Sequence, residues 1–308
     1  MITHRRRHTP RDTVSLAAMS VAVTGGGGGI GRAIAAHFIS AGACVAIGDI
    51  DAAAAHTTAA ELGHSAIGVA LDVTDADSFA AFLDAAEVAH GPLDVVINNA
   101  GVDWMGRFED GDDDISRREL AVNLMGPIIG SRLALQRMLA RGRGHIVNVA
   151  SSAGRVPQPG SAVYTATKHG VVGLTECLAL EYRASGIRFS ILHPGYIPTA
   201  MTTGTTRPSR LMPTATPDDC ARAVVDAVQH NRFNVFAPAS QAIGIKLGQV
   251  FGRTIRDRVL VAMGIAKIAD HLDSNSRAHY YERAFGRTTA SSPATQPDDH
   301  TGTERVTP

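Results

Sequence analysis

Two ionisable side chains are spaced so that they could exchange a proton with an alcohol or a ketone. Tyr164 and Lys168 are four residues apart in a segment with helical spacing, which places them on one helix face, about 5–6 Å apart at Cβ. A nearby ammonium favours the phenolate and lowers the phenol pKa from its usual value near 10. Tyr164 is therefore a candidate general acid and base, although this spacing also occurs on helices without function.

A serine upstream of this pair supplies a third candidate. Ser151 follows directly after an apolar run at 146–150. A hydroxyl at the end of a strand can donate to a substrate oxygen on which negative charge develops. Ser152 is the alternative, and the spacing to Tyr164 favours Ser151.

A run of glycines follows the first apolar run and precedes a helical segment. Glycine lets the backbone approach a pyrophosphate, and the helix N-terminus adds amide donors and partial positive charge. The run fits two patterns, GxGxxG at Gly26, Gly28 and Gly31 or TGxxxGxG at Thr24, Gly25, Gly29 and Gly31. Its position between strand and helix predicts a dinucleotide-binding turn rather than a flexible hinge.

The second apolar run ends at Asp49, close to the usual spacing of about 20 residues for the acid that binds a ribose diol. A carboxylate accepts hydrogen bonds from both ribose hydroxyls and repels a 2′-phosphate. No Lys or Arg lies in the glycine run or directly after Asp49. The site therefore favours NAD over NADP, with an ordinary helix N-cap at Asp49 or Asp51 as the alternative.

Two further strand ends carry candidate cofactor contacts. Asp72 and Val73 follow the third apolar run, and Asp72 could bond the adenine edge or cap a turn before Thr74. Asn98, Asn99, Ala100 and Gly101 follow the fourth run. Ligands of open parallel sheets bind at such carboxyl ends, although a turn explains this composition equally well.

The chain must bring these residues together through alternating strands and helices. Short apolar runs predict strands at 21–23, 43–47, 66–70, 95–97, 146–149, 187–192 and 235–236, and helical spacing predicts helices that include 30–39, 77–89, 115–139, 163–182 and 218–228. This alternation predicts a single doubly wound parallel-sheet domain of the Rossmann type, an α/β/α sandwich, at 19–240. We expect a disordered basic tail at 1–18, a helical extension at 241–285 and a disordered tail at 286–308.

Composition excludes several classes of function. Lys plus Arg and Asp plus Glu both number 29, and aromatic residues are 5%, so a global basic field or a base-stacking platform for nucleic acid is not expected. No apolar run reaches the roughly 20 residues that span a bilayer. Three distant cysteines and scattered histidines lack metal spacing, which favours a reducing cytoplasm and no metal.

With the glycine run, the Asn-rich turn, Ser151, Tyr164 and Lys168 in this order, the chain resembles the short-chain dehydrogenase/reductase family over about residues 19–240. Asn123 in the sequence LAVN fits the family's helix asparagine, and PGYIPT at 194–199 fits its PGxxxT segment. The resemblance selects the TGxxxGxG pattern, with Ile30 inside it.

The resemblance also implies roles. Tyr164 would be the general acid and base, Lys168 would lower its pKa and bind the nicotinamide ribose, and Ser151 would orient the substrate oxygen. Asn123 would hold a water through its carbonyl. Thr199 and the backbone of Ile197 would bind the nicotinamide carboxamide, in the segment that also contains Pro194 and Gly195. The implied activity is NAD(H)-dependent interconversion of a secondary alcohol and a ketone.

Other loop residues are candidates for the substrate pocket. Trp104 could shape the mouth of the site, and Arg155 and Gln158 could add polar contacts, although solvated loop positions explain them as well. In the family, the segment here at 199–216 is the lid that decides substrate choice. Its apolar residues, Met201, Leu211 and Met212, incline towards a partly apolar substrate.

The extension carries an apolar stripe with four-residue spacing at Ile243, Leu247, Phe251, Ile255, Val259 and Met263. The region 241–265 also has four basic residues against Asp257, and glycines at every fourth position from Gly244 to Gly252. Three interpretations stay open: packing on its own domain or a partner subunit, contact with an anionic membrane surface, or a lid over a long apolar substrate.

Two other functions on the same fold remain as alternatives: a nucleotide-binding regulatory protein, and a redox-neutral epimerase or dehydratase. Relatives commonly pair through the two long helices at 115–139 and 163–182, so a homodimer or homotetramer is expected. Neither the substrate nor the direction of reaction follows from the sequence.

Overall fold

The computed structural model describes residues 13–205, 214–250, 252–262 and 273–286. Within these ranges the chain forms one parallel sheet of seven strands in the order β3-β2-β1-β4-β5-β6-β7. The strands are β1 (Ser20–Thr24), β2 (Cys44–Asp49), β3 (Ala66–Ala70), β4 (Val95–Asn98), β5 (Gly144–Val149), β6 (Ile187–Pro194) and β7 (Asn234–Ala237). All seven predicted strands and the doubly wound fold are confirmed.

The helices are α1 (Gly29–Ser40), α2 (Ala52–Leu62), α3 (Ala76–His90), α4 (Asp113–Leu120), α5 (Gly126–Met138), α6 (Ala162–Glu181), α7 (Pro217–His230), α8 (Gln241–Val250), α9 (Gly252–Ala262) and α10 (Ser274–Phe285). They cover both faces of the sheet. One apolar core joins α1, α2 and α7 to the sheet through side chains such as Ile34, Ala55 and Val224. The other joins α3 and α5 to it through side chains such as Phe82 and Ile129.

The chain order reverses at the sheet centre, where β1 lies between β2 and β4. Strands β1 and β4 pair in parallel, with Val23 opposite Ile97. Helices follow successive strands on opposite faces here, so a crevice opens beyond the carboxyl ends of the strands. The fold therefore brings the residues after β1, β2, β4, β5 and β6 to one edge of the sheet.

The predicted continuous helix at 115–139 is interrupted. Helix α4 ends at Leu120, a π-helical turn occupies Ala121–Met125, and α5 begins at Gly126. Pro127 has no N–H, so the α-helical hydrogen bond from position 127 to the carbonyl of Asn123 cannot form. The chain forms a wider, π-helical turn here, where this α-helical hydrogen bond is missing.

The apolar stripe of the extension divides between α8 and α9. Ile243, Leu247 and Ile255 are exposed, whereas Ile245 between them is buried. The structure therefore does not bury these three stripe residues against their own domain. Phe251 and Met263 of the stripe, and Leu211 and Met212 of the predicted lid, lie outside the described residues.

The predicted terminal tails also fall largely outside the described ranges. Residues 1–12 and 287–308 are not described. Close to the predicted start of the domain, Leu16 is buried in the core, and the N–H of Val14 donates to the carbonyl of Gln229. The boundaries of the four parts stay predictions.

Candidate active site

Tyr164 and Lys168 lie in the first and second turns of α6, and both side chains are buried. The Nζ atom of Lys168 lies 5.5 Å from the centre of the Tyr164 ring and donates to the carbonyl of Val149 at 3.0 Å. Burial lowers the pKa of Lys168 to about 8, although the carboxyl of Asp103 acts to raise it. The predicted pair is therefore brought together in a site shielded from water.

The ionisation of Tyr164 differs from the sequence prediction. Burial and then the negative charge of Asp103 raise the pKa of Tyr164 well above its usual value, and Glu119 adds to this effect. A hydrogen bond from Ser151 acts in the opposite direction. The pKa of Tyr164 is therefore raised where the sequence predicted a lowered one, because burial and the charges of two buried carboxyls act against ionisation.

Ser151 follows β5 and precedes a short 3-10 turn at Ser152–Gly154. Its hydroxyl oxygen accepts a hydrogen bond from the N–H of Ala153 at 3.1 Å, which leaves the hydroxyl proton for another acceptor. Ser151 is buried, and Ser152 is partly exposed. Ser151, and not Ser152, is among the groups that act on the pKa of Tyr164.

The glycine turn is built so that side chains would block it. Gly25 has φ +64, and a Cβ there would lie 2.8 Å from the Cα of Ala100. A Cβ at Gly31 would lie 2.2 Å from the carbonyl oxygen of Gly25, so this residue allows α1 to pack onto the turn. A Cβ at Gly28 would meet nothing within 4 Å, because this residue faces an open cavity. The turn fits a bound pyrophosphate at the start of α1.

Thr24 joins the ends of β1 and β4. Its hydroxyl oxygen accepts hydrogen bonds from the N–H groups of Asn99 and Ala100, both at 3.0 Å. The side-chain amide of Asn99 donates in return to the carbonyl of Thr24 at 2.9 Å. These contacts fix the Asn-rich turn against the glycine turn, and Thr24 itself is buried away from the cavity.

Asp49 holds the other side of the glycine turn. One carboxylate oxygen accepts from the N–H of Gly27 at 2.9 Å, and the other accepts from the N–H of Asp51 at 3.1 Å. Of the two residues that the sequence offered as the N-cap of α2, Asp51 is the cap, and its side chain accepts from the N–H of Ala54. Asp49 is not the cap and is left to face the cavity.

Asp72 forms a local turn with Thr74. Its Oδ1 accepts from both the N–H and the hydroxyl of Thr74, at 2.9 and 2.7 Å. Partial burial acts to raise the pKa of Asp72, but these hydrogen bonds lower it below its usual value. The residue is a charged acceptor at the rim of the cavity.

Asn123 lies in the π-helical turn and is fully buried. Its side chain accepts from the N–H of Val102 at 2.8 Å and donates to the carbonyl of the same residue at 2.7 Å. A Cβ at Gly101 would lie 3.2 Å from Asn123 Oδ1 and 3.5 Å from Lys168 Nζ. Gly101 therefore leaves a narrow gap between the asparagine and the lysine.

A cavity of about 580 Å³ extends from Asp49 past the start of α1 to Tyr164. Of the predicted site residues, Thr24, Gly31 and Asn123 support it from behind. The others line it: Gly25, Gly29, Ile30, Asp49, Asp72, Val73, Asn99, Ala100, Gly101, Ser151, Tyr164, Lys168, Pro194, Gly195, Ile197 and Thr199. Its size is typical of a cofactor site.

Two buried carboxyls beside the catalytic pair were not among the predicted site residues. Asp103 is buried and has an oxygen, Oδ1, without a hydrogen-bond partner among the described residues. Burial raises the pKa of Asp103 to about 7, with Arg277 acting to lower it. Burial raises the pKa of Glu119 to about 8, although its Oε1 accepts from the N–H of Trp104 at 3.0 Å.

Helix α10 forms part of the cavity wall through Tyr280, Arg283 and Ala284. It is attached by Arg277, which is fully buried. The guanidinium donates to the carbonyls of Met201 and Thr203 at 3.0 and 3.1 Å. Part of the predicted extension thus covers the site, but through α10 rather than through the apolar stripe.

Only some of the other residues suggested for the substrate pocket line the cavity. Gln158 and Met201 line the cavity. Arg155 instead pairs with Glu176 at 2.8 Å, and Trp104 does not line the cavity although its neighbours on both sides do. No group of metal-binding side chains occurs among the described residues, and none of the helices described is long and apolar enough to cross a membrane.

Comparison with known proteins adds to the geometry. The family model described as short chain dehydrogenase matches residues 19–209. The chain is 38% identical over 180 residues to 2-(S)-hydroxypropyl-CoM dehydrogenase 3 of Xanthobacter autotrophicus, covering 58% of this chain and 71% of that protein. It is 37% identical over 266 residues to the probable oxidoreductase EphD of Mycobacterium tuberculosis, covering 78% of this chain but 45% of that protein. The chain thus spans less than half of the second relative.

Among solved structures, the fold is similar to a short chain dehydrogenase/reductase from Burkholderia phymatum in complex with NAD. The TM-score is 0.70 at 28% identity, and the similarity covers 77% of this chain and 94% of that one. Helices and strands therefore follow the arrangement of a protein that binds a dinucleotide.

Proposed function

The chain belongs to the short-chain dehydrogenase/reductase family, and from this premise we propose that it interconverts a secondary alcohol and a ketone with NAD(H). The observation that carries the proposal is the buried Tyr164 and Lys168 beside Ser151 on the wall of a cavity that continues to the glycine turn. Family membership supports oxidoreduction at CH–OH groups. The residue roles and the choice of NAD are our proposal.

The residues of the glycine turn would hold the pyrophosphate, and Asp49 would accept hydrogen bonds from the adenosine ribose. A Cβ at Gly29 would lie 3.6 Å from Thr199 Cγ2, so Thr199 faces the turn where the nicotinamide half would begin. Bound NAD(H) supplies the hydride chemistry. The proximity of Asp49 to the turn supports NAD over NADP, because a 2′-phosphate would meet its negative charge.

Tyr164 would exchange the proton. Because its pKa is raised, Tyr164 is a neutral phenol at neutral pH, and it would donate to the oxygen of a ketone during reduction. In oxidation the phenol would first release its proton to solvent through Lys168, and the phenolate would then take the proton of the alcohol. The hydroxyl of Ser151 would orient the same oxygen and stabilise the charge that develops on it.

Lys168 and Asn123 would support Tyr164 from behind. Lys168 gives one of its three N–H groups to Val149, which leaves two for a ribose hydroxyl and a water. Pro127 denies the Asn123 carbonyl its usual helical donor, so this carbonyl can accept from that water. The two residues would then pass a proton between Tyr164 and solvent.

We also propose that the protein is a cytoplasmic homo-oligomer. The cysteines Cys44, Cys177 and Cys220 are free, which fits a reducing compartment. Leu120 at the end of α4 and Leu180 on α6 are exposed, and these helices lie on the surface through which relatives commonly pair.

A single substitution tests the proposal. Tyr164→Phe removes the acidic hydroxyl and keeps the ring, so it should retain NAD binding and lose turnover by about a hundredfold or more. The measurement is nicotinamide absorbance with NAD and NADP across steroids, aliphatic alcohols, sugars and hydroxyacyl compounds, with cofactor binding followed by fluorescence. Unchanged turnover would refute the mechanism.

A further inference from the structure

Tyr280 has a hydroxyl that is held in place but keeps its proton free. Its oxygen accepts a hydrogen bond from the N–H of Asp103 at 2.8 Å. Among the described residues no acceptor takes the Tyr280 proton, and the side chain lines the catalytic cavity. A phenol can donate and accept at once, so the donor side of this hydroxyl is available to a molecule in the cavity.

The ring of Tyr280 is oriented from a second direction. The guanidinium carbon of Arg277 lies 5.2 Å from the ring centre, and Arg277 also donates to the carbonyl of Asp103 at 3.1 Å. The same short loop therefore fixes the hydroxyl and the cation that covers the ring. A donor fixed in this way loses little freedom when it binds a ligand.

Burial, followed by the charge of Asp103, raises the pKa of Tyr280 far above its usual value, and Tyr164 is among the groups that raise it further. Tyr280 therefore stays protonated at neutral pH. Tyr280 and Tyr164 line the same cavity, so one molecule bound there could meet both phenols.

We propose that Tyr280 is a specificity-determining residue, whose hydroxyl donates to a second oxygen of the substrate while the first oxygen lies at Ser151 and Tyr164. This inference rests on the proposed alcohol–ketone activity and adds to it a substrate class: compounds with two oxygen functions, such as diols and hydroxyketones. A donor that faces the cavity and has no partner among the described residues favours a substrate with the second oxygen over one that lacks it.

Tyr281 provides a matched control. Its hydroxyl oxygen accepts from the N–H of Met105 at 3.2 Å and from Arg277 Nε at 2.8 Å, and its proton goes to the carbonyl of Met105 at 3.1 Å. Tyr281→Phe removes a similar attachment between α10 and the same loop, but it removes no donor from the cavity. Comparing the two variants therefore distinguishes loss of a hydrogen bond to the ligand from loss of the attachment between α10 and the loop.

The experiment measures binding rather than turnover, so that failure of the proposed chemistry would not affect it. Dissociation constants of cyclohexanol and of the positional isomers of cyclohexanediol are determined for the enzyme–NADH complex, which cannot oxidise an alcohol, by nicotinamide fluorescence. We expect the wild type to bind one diol about tenfold more tightly than cyclohexanol. Tyr280→Phe should lose this preference with cyclohexanol unchanged, and Tyr281→Phe should keep it.

A measurement on the wild type covers the case in which Tyr280→Phe fails to fold. The monomethyl ether of the preferred diol keeps an acceptor oxygen where the diol has a hydroxyl but loses its donor, so it should bind within about threefold of the diol. The proposal is overturned if the wild type prefers no diol, if the ether loses the preference, if a folded Tyr280→Phe keeps it, or if Tyr281→Phe loses it equally.

Discussion

Arg277 on the last helix donates a hydrogen bond to the carbonyl of Asp103, a residue 174 positions earlier in the chain, at 3.1 Å. The same guanidinium reaches the carbonyls of Met201 and Thr203. One fully buried cation therefore joins α10 to two of the loops that border the cavity. Buried charges of this kind are retained only when their hydrogen bonds are satisfied, which makes the position of α10 dependent on this residue.

Arg277→Met should release α10 from the site. The three carbonyls would lose their donor inside the protein, at a cost of about 3 kcal/mol, and the substrate side of the cavity would open. We expect a lower unfolding temperature and a KM for substrate raised about tenfold or more, with a smaller change in NAD affinity. Thermal melting and steady-state kinetics provide the measurements.

The control for this variant is His279→Met on the same helix. His279 is exposed and does not line the cavity, so its replacement should leave both stability and KM nearly unchanged. If both variants lower stability and raise KM equally, then α10 is not held through Arg277.

The order of strands and helices could be predicted because each buried parallel strand is an apolar run. The glycine run and Asp49 could also be predicted as cofactor contacts, because both lie at the ends of neighbouring strands within a short stretch of sequence. The break in the helix at 121–125 had a signal as well, namely Pro127 four residues after Asn123, because proline cannot complete that hydrogen bond.

The substrate side of the site could not be predicted in the same way. Asp103 and Arg277 meet only in three dimensions, and periodicity within a segment carries no information on such distant contacts. The strongest pattern in the extension, the stripe that includes Ile243 and Leu247, lies on exposed surface. The part of the extension that lines the cavity is α10. It is held by the buried Arg277, which an apolar pattern cannot identify.

Asp49→Asn tests the choice of cofactor. The amide keeps one acceptor oxygen for the glycine turn but removes the negative charge, so NAD should bind about tenfold more weakly and NADP should be rejected less. The measurement is the ratio of kcat/KM for the two cofactors. Asp75→Asn, which removes a charge from the N-cap of α3 at a position that does not line the cavity, is the control and should leave the ratio unchanged. A wild type that already prefers NADP would contradict the assignment.

Ile243→Glu combined with Leu247→Glu tests what covers the exposed stripe on α8. These side chains are 66% and 49% exposed, and we expect a partner subunit to cover them, so the double variant should have a smaller mass by light scattering. Truncation is unsuitable because it would also remove α10. Lys246→Glu adds a carboxylate to the same helix without removing apolar surface and serves as the control.

The membrane interpretation of this stripe makes a different prediction. Arg253 and Arg256 lie beside Asp257, at 3.2 and 2.8 Å, which reduces the positive charge available to an anionic surface. We therefore expect no flotation with vesicles that contain phosphatidylserine. Flotation of the wild type that disappears in the double variant would favour membrane contact instead.

Glu119→Gln should change how stability depends on pH. In the folded chain the pKa of Glu119 is raised to about 8 from an ordinary 4.5. Between these two values the folded state holds a proton that the unfolded state has lost, so the stability that this group contributes is complete below pH 4.5 and is lost as the pH rises through 8. Asp103, whose pKa is raised to about 7, acts in the same direction.

The wild type should therefore unfold at a lower temperature at pH 8 than at about pH 5, and Glu119→Gln should flatten this decline by about 3 °C or more. The amide can still accept from Trp104, so the two proteins should melt alike at the acidic end. Lys168 does not affect this comparison. Its pKa in the folded chain is lowered to about 8 from 10.5, and it changes how stability depends on pH only between these values. Parallel melting curves for the two proteins across the acidic-to-neutral range would show that Glu119 is ionised in the folded state, and that the charge beside Tyr164 is larger than the structure indicates.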